Sequence, residues 1–225
     1  MTTFKLYTSF TNEDLEIFFL TGTNIVVAKS FFGFDPNVAW LVYRPLNKNE
    51  MTWTEDYGIY ASNTEIINGN MIFQNAQTPF PAETGKIYTM SPSGAFGAAS
   101  PGGIPGTYSI FNDYANDKGH LTFGLYQNAN INGEDFTCYP VSALTTLYKF
   151  KVVWMPMNTI YLWPQSQLKS NTIVTTITSQ ITKIMLSDFS PEISLQYDRS
   201  SGKFIPSPGG KLPNGVEIQY PKVLL

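Results

Sequence analysis

The sequence predicts an all-β protein, an antiparallel β-sandwich of the jelly-roll or lectin/cytolysin-like kind, with a barrel as the second choice. Short runs of β-branched and aromatic residues recur along the chain, and clusters of Gly, Pro, Asn and Asp separate them. Apolar residues make up 43% of the chain and charged residues only 14%, a balance opposite to that of disordered chains. The 225 residues contain no repeat or linker, so we expect one domain spanning residues 1–225.

Residues 38–61 are expected to form a hairpin around which the rest of the chain is organised. Residues 38–43 and 51–60 have the composition of strands, and a polar turn separates them. Side chains two positions apart share a face of a strand, so one face of the second strand should be buried and the other exposed. The buried face would hold Met51, Trp53, Tyr57 and Ile59 with Glu55 among them, and the exposed face Thr52, Thr54, Asp56 and Tyr60.

The first 32 residues predict three strands. Residues 4–10 alternate in polarity, and residues 24–32 are rich in β-branched side chains. Between them, the β-branched and aromatic composition of residues 15–20 favours a strand. The alternative there is a short helix, because Thr11 and Asp14 have the spacing of a capping box.

The middle of the chain combines one hairpin signal with one long loop. The Asn68-Gly69 pair is the strongest short hairpin signal, and residues 86–90 predict a strand after it. Residues 91–106 contain five Gly and three Pro and should form an irregular surface loop. We expect this loop to carry Phe96 and Ile104 outward.

The second half predicts further short strands. Residues 172–185 are ambiguous, because isoleucines at helical spacing alternate with threonines that favour a strand, and we prefer the strand. A Pro/Gly-rich C-terminal segment at 206–214 precedes the last strand. The strands lie at 107–111, 121–126, 136–139, 147–155, 159–163, 193–197, 203–205 and 215–220.

Composition restricts the location and the partners. The net charge of −3 gives no reason to expect nucleic acid, and no apolar run is long enough for a membrane helix. The N-terminal residues lack the apolar core of a signal peptide, so we expect a cytoplasmic protein, or one released without a signal peptide. The chain has few charged side chains that could prevent its edge strands from pairing with another copy, which favours a homo-oligomer. The edges should be residues 4–10 and 216–220, with a terminal segment in the interface.

Motifs for catalysis or for metal binding are weak. Cys138 is the single cysteine and His120 the single histidine, and each is better explained as a structural residue. The Asn128-x-Asn130-x-Asn132-Gly133 pattern resembles the start of an EF-hand loop, but Tyr139 replaces the twelfth-position Glu, which favours a hairpin. We therefore expect no metal and no cofactor.

A binding site for a carbohydrate or a lipid head group is the favoured function, in a non-catalytic protein of lectin or lectin-like toxin type. Sugars are held by aromatic stacking together with fixed hydrogen bonds, and the chain is rich in Trp, Tyr and Asn. The candidate contacts are Trp53, Tyr57, Tyr60, Asn112, Asp113, Tyr114, Asn116 and Asp117.

Two alternatives stay open. The first is a cofactor-free cyclase or isomerase with an aromatic-lined cavity, in which Glu55 acts as the acid because an unpaired carboxyl group among aromatic rings retains its proton. The second is a structural, self-assembling protein.

The strand Met51-Thr52-Trp53-Thr54, followed by a tyrosine-rich one, resembles the core of actinoporin-type sandwiches and their fungal lectin relatives. The resemblance contains no family site, so no residue role is transferred.

Overall fold

The structure, a computed structural model, describes residues 2–32, 34–208 and 212–221, and these contain one α-helix and twenty β-strands. The elements of the first half are β1 Thr3–Ser9, α1 Asn12–Thr21, β2 Thr23–Phe31, β3 Val38–Ala39, β4 Leu41–Tyr43, β5 Lys48–Thr54, β6 Gly58–Ser62, β7 Ala76–Gln77, β8 Lys86–Met90, β9 Ser100–Pro101 and β10 Tyr108–Asn112. Those of the second half are β11 His120–Ile131, β12 Glu134–Pro140, β13 Leu144–Leu147, β14 Lys151–Trp154, β15 Pro156–Ser166, β16 Thr172–Ile173, β17 Thr182–Met185, β18 Glu192–Asp198, β19 Lys203–Pro206 and β20 Glu217–Gln219.

The strands form several open sheets packed together, as expected for an all-β sandwich. The largest has nine strands, with β19-β18-β1-β5-β11-β6-β7 in order and β12 and β13 paired with β11. The others are β20-β17-β15-β2-β4, β14-β10-β8-β9 and β16-β3. The pairing is antiparallel except for β1 with β18 and β8 with β10, which are parallel.

One apolar core joins the three larger sheets. Phe4 of β1, Val27 of β2 and Ile110 of β10 belong to the same cluster, and each is fully buried. Smaller clusters cover the outer faces of two sheets: Trp163 lies in one, and Tyr60 and Tyr126 in the other. The sheets are therefore buried on both faces over much of their area. No helix in the described residues is long and apolar enough to cross a membrane.

The expected hairpin between residues 38–43 and 51–60 is wrong. β4 pairs with β2 in the five-stranded sheet, whereas β5 pairs with β1 and β11 in the nine-stranded sheet. The polar segment between β4 and β5 therefore crosses from one sheet to the other. The buried face was predicted correctly, because Met51 and Trp53 are buried in the core between these sheets.

Residues 15–20 form part of a helix, and the strand predicted there is wrong. The side chain of Thr11 accepts a hydrogen bond from Asp14 N, and the Asp14 carboxylate accepts one from Thr11 N. This capping box and the left-handed Gly22 at the other end stabilise the helix termini. Local capping therefore prevails over the strand propensity of the residues between.

The first strand does not lie at a sheet edge, contrary to expectation. β1 is central, with β18 on one side and β5 on the other. β20 does end its sheet within the described residues. The expectation of a terminal segment in an interface stays a prediction, and the C-terminal residues 222–225 lie outside the described residues.

The tight Asn-Gly hairpin forms at Asn132-Gly133 and not at Asn68-Gly69. Asn132 and Gly133 both have positive φ, and Ile131 pairs with Glu134, so two residues connect β11 to β12. The Asn128 to Gly133 pattern thus belongs to a hairpin, as predicted, and not to an EF-hand loop. Asn68-Gly69 forms a turn that no strands flank.

The Gly/Pro loop at 91–106 is mostly irregular, as expected, but it is attached to the fold. Its two-residue strand β9 pairs with β8. Phe96 packs edge-on against Phe123 with ring centroids 6.2 Å apart, so its predicted outward position is wrong. Ile104 is 54% exposed, as predicted. Within 172–185, only β16 and β17 are strands, and the connection between them has no regular structure, with Val174, Ile177 and Ile181 buried and its threonines exposed.

Candidate functional site

A charged side chain lies at the centre of the sandwich. Lys29 of β2 has a side chain that is 0% exposed. Its Nζ atom donates hydrogen bonds to Glu55 Oε1 at 2.7 Å, to the Tyr57 hydroxyl oxygen at 2.8 Å and to Gln127 Oε1 at 3.1 Å. An ammonium group has three N–H donors, so all three are satisfied. Burying a charge without such partners would be very unfavourable.

An irregularity in the nine-stranded sheet brings these partners together. β5 and β6 both pair with β11, with Trp53 opposite Ala129 and Gly58 opposite Tyr126. Residues 54–57 therefore face only residues 127–128, and the ladder is interrupted there. Bulges of this kind redirect side chains and are frequent beside active sites. Here the interruption turns Glu55 and Gln127 toward Lys29 on the opposite sheet.

The Glu55 carboxylate is fully engaged, so the expectation of an unpaired acid is wrong. In addition to Lys29, Glu55 Oε1 accepts a hydrogen bond from Trp53 Nε1 at 2.8 Å. The Tyr57 hydroxyl donates a short hydrogen bond to Glu55 Oε2. The countercharge comes from Lys29, 26 residues earlier in the chain. No pattern local to Glu55 could have revealed it.

Aromatic rings surround the ammonium group. Lys29 Nζ lies 5.4 Å from the ring centroid of Trp40, 5.8 Å from that of Trp53 and 5.1 Å from that of Tyr57. These distances allow cation–π attraction, which is stronger where water is excluded. Trp40 Nε1 is buried without a hydrogen-bond partner among the described residues. We call Lys29, Glu55, Tyr57, Gln127, Trp40 and Trp53 the lysine cluster.

Burial changes the proton affinities in the lysine cluster. Burial lowers the pKa of the Lys29 ammonium group, and the negative charge and the hydrogen bond of Glu55 oppose that effect. The pKa of the Tyr57 phenol is raised well above its ordinary value, first by burial and then by the neighbouring Glu55 charge. A lysine with a lowered pKa gives up its proton more readily, which is a common property of functional lysines.

An apolar cleft of about 390 Å³ lies directly beside Lys29. Its volume is at the lower end of the range for small-molecule sites. Phe32 and Phe34 at its rim are 52% and 71% exposed, and Leu144 is 45% exposed. The lining, here called the aromatic cleft, consists of Lys29, Phe31, Phe32, Phe34, Asp35, Asn37, Ser142, Ala143, Leu144, Val153 and Trp154.

Most polar groups of the aromatic cleft already have partners. The Asn37 side chain donates to the Ala143 carbonyl at 2.6 Å and accepts from the Ala143 amide at 3.2 Å. Ser142 Oγ accepts from the Leu125 amide at 3.0 Å. These bonds hold the wall of the cleft. Asp35 is exposed and forms no ion pair with any of the described residues.

The predicted aromatic contacts do not form a surface site. Trp53, Tyr57 and Tyr60 are 3%, 1% and 0% exposed. Tyr60 was expected to face solvent, and that prediction is wrong. Its hydroxyl donates to the Ser142 carbonyl at 2.7 Å, beneath a second apolar cluster that also contains Val38 and Ile72. A sheet covered on both faces buries both sets of alternating side chains.

The predicted loop at 112–117 is held by contacts with residues that follow it in the chain. Asn112 is fully buried and donates to the Thr146 carbonyl at 3.0 Å. Asn116 bonds both backbone groups of His120, at 2.8 and 3.2 Å, and Asp113 forms an ion pair with Lys149. Tyr114 is half-buried against the core, and Asp117 is exposed. Trp53, Tyr57 and Tyr60 are buried, so together with the loop they do not form one exposed binding surface.

The other two candidates for chemistry, His120 and Cys138, do not line the aromatic cleft. His120 Nδ1 lies 2.9 Å from the Lys118 carbonyl at the start of β11. Cys138 is half-buried on β12 with a positive φ of 61°. Within the ranges the structure describes, no group of three His, Cys, Asp or Glu side chains is placed to hold a metal ion.

Sequence reasoning did not identify Lys29 as a candidate site residue. The signal was present, because a lysine stands within β2, whose residues 25–31 are otherwise almost all apolar or small. A fully buried strand seldom carries a lysine unless the charge is paired. Comparison of the chain with known protein families, with characterised proteins and with solved structures found no match in any of the three.

Proposed function

We propose that this chain is a non-catalytic β-sandwich binding protein that holds the apolar part of an amphipathic, lipid-like molecule in the aromatic cleft. The proposal stays within the lectin or lectin-like toxin class expected from the sequence. The sequence led us to expect a carbohydrate or a lipid head group, and the proposal keeps the lipid but places its apolar part, rather than its head group, in the cleft.

The observation that carries the proposal is the lining of the aromatic cleft. Phe31, Phe34, Leu144, Val153 and Trp154 line one concave surface, and the rim side chains remain substantially exposed. Exposed apolar groups around a concavity are typical of ligand-binding grooves. An apolar chain would displace water from these side chains, at about 25 cal/mol for each Å² covered.

The polar groups favour a ligand with few hydrogen-bonding groups in the cleft. Asn37 and Ser142 are paired with backbone atoms, so they offer little to a sugar ring. Asp35 at the rim can accept hydrogen bonds from a hydroxyl or a cationic head group. An apolar tail with a polar end would fit this distribution better than a free glycan.

The test is a calorimetric titration with 1-decanol as the probe. Leu144 and Leu147 lie on the same strand, β13, and are 45% and 51% exposed, but only Leu144 lines the cleft. We expect Leu144→Arg to weaken decanol binding at least about tenfold, and Leu147→Arg to leave it unchanged. Equal loss in both variants, or no binding to the unaltered protein, would refute the proposal. Binding of a soluble oligosaccharide in place of decanol would favour the carbohydrate alternative.

Self-association is a separate proposal that rests on the sheet edges. In the part of the chain that the structure describes, β20 ends the five-stranded sheet with β17 as its single partner. An unpaired edge can accept the same edge of a second copy across a two-fold axis. Light scattering at micromolar concentration should then give a dimer mass. A monomer at all concentrations would refute this proposal.

A further inference from the structure

We propose that Lys29 captures aldehydes that enter the aromatic cleft, by forming an imine between its Nζ atom and the carbonyl carbon. This inference rests on the proposed function and specifies its ligand class, namely amphipathic molecules with an aldehyde group at the end of the apolar chain. Three features of the lysine cluster support it: the position of Lys29, the placement of Glu55 and the surrounding rings.

The position of Lys29 is the first feature. Lys29 and Phe31 are two apart on β2, so they share a face, and both line the aromatic cleft. An apolar chain lying in the cleft would therefore bring its terminal group to the floor formed by these two residues. Lys29 is also the single basic residue of the lining. A covalent bond to it would fix the ligand at a defined depth.

The placement of Glu55 is the second feature, because imine formation needs a proton to move off the amine and return. The Lys29 ammonium group can pass one proton to Glu55 Oε1, 2.7 Å away. The free amine attacks the carbonyl carbon and gives a carbinolamine. The carbinolamine then loses its hydroxyl group as water, with Glu55 returning the proton. One ammonium ion and one aldehyde thus yield one protonated imine and one water, and the net charge is unchanged.

The aromatic rings are the third feature. A protonated imine keeps the positive charge at Nζ, close to the faces of Trp40, Trp53 and Tyr57. The one N–H that it retains can donate to the Glu55 carboxylate. Cation–π attraction and the countercharge would therefore stabilise the imine as they stabilise the ammonium ion. Exclusion of water from this cluster would also slow hydrolysis of the imine.

Access to Nζ requires a side chain to move, since Lys29 is fully buried. Phe31 is the side chain that we expect to move, because it lines the cleft and its ring packs edge-on against Tyr57 of the lysine cluster, with centroids 5.9 Å apart. Phe31 is 6% exposed and lines the cleft, so it lies between the cleft and the buried core. Rotation of this ring would open a path from the cleft to the lysine cluster.

The experiment treats the folded protein with decanal and sodium cyanoborohydride, which reduces an imine to a stable secondary amine. Peptide mass mapping then locates the adduct. We expect Lys29 to be labelled more heavily than Lys118, which is about half exposed, and an excess of 1-decanol to abolish the label on Lys29 alone. Phe31→Ala should accelerate labelling of Lys29 without changing that of Lys118.

The outcomes separate this inference from the proposed function. If 1-decanol binds as proposed and Lys29 remains unlabelled while Lys118 is modified, the imine inference is wrong and the binding function stands. If 1-decanol does not bind, the proposed function fails. Labelling of Lys29 that decanol does not reduce would also overturn the inference, because the aldehyde would then reach Lys29 by another route.

Discussion

Lys29 Nζ and Glu55 Oε1 lie 2.7 Å apart across the interface between the five-stranded and nine-stranded sheets. The pair is the one ion pair of the described residues in which the lysine side chain is fully buried. It joins the two halves of the sandwich where the ladder of the larger sheet is interrupted.

Breaking this pair from one side should destabilise the protein strongly. Glu55→Gln leaves the buried ammonium without a countercharge, so we expect a loss of about 3–5 kcal/mol in the free energy of unfolding. The double variant Lys29→Met/Glu55→Gln should lose less than the sum of the single variants, because it removes the buried charge as well. Urea denaturation measures the free energy of unfolding of Glu55→Gln, of Lys29→Met and of the double variant. Lys118→Met is the control, since its pair with Glu65 is about half exposed and should contribute little.

Alkaline pH should destabilise the fold through its buried phenols. Burial raises the pKa of Tyr43 to about 12, and the pKa of Tyr57 and that of Tyr60 are also raised. Unfolded tyrosines titrate near 10. Above that pH the folded state holds more protons than the unfolded state, so stability should fall as pH rises from about 10 to 12.

The pH dependence can be checked by denaturation at successive pH values together with phenolate absorbance. Tyr43→Phe should reduce the fall in stability above pH 10. Lys29 acts in the opposite direction, because its pKa is lowered and stability rises with pH until unfolded lysines titrate near 10.4. A stability that is flat from pH 9 to pH 12 would contradict this account.

Much of the fold could be predicted from periodicity, whereas the candidate site could not. Strand β8 has the predicted bounds, because its alternation is local and turns flank it. The helix α1 was missed because side-chain capping outweighs the strand propensity of Ile17 and the two phenylalanines that follow it. Lys29, Glu55 and Gln127 come together only through the pairing of β5 and β6 with β11 and the packing of β2 above them. Such long-range register has no signature in a single sequence.

Two apolar residues of the Gly/Pro loop should differ sharply in their contribution to stability. Phe96 packs against Phe123, so Phe96→Ala should cost about 2 kcal/mol, roughly half the value for a fully buried phenylalanine. Ile104 is 54% exposed, and Ile104→Ala should have little effect. Thermal denaturation of the two variants tests this. Equal melting temperatures for Phe96→Ala and Ile104→Ala would mean that Phe96 does not hold the loop on the domain.

Gly124 should not tolerate a side chain. A Cβ atom there would lie 1.9 Å from the Ser142 carbonyl oxygen, which is backbone and cannot move aside cheaply. We expect Gly124→Ala to cost about 3 kcal/mol or more. Gly97→Ala is the control, since its nearest neighbour would be 3.9 Å away and should leave stability nearly unchanged. Urea denaturation would contradict the close approach if both variants were equally stable.

The most direct test of the central claim is an NMR titration of the labelled protein with 1-decanol. We expect the largest amide shifts at Phe31, Leu144 and Trp154, which line the aromatic cleft, with saturable dependence on decanol concentration. Shifts confined to residues 112–117, or no saturable shift anywhere, would contradict the assignment of the cleft as the ligand site.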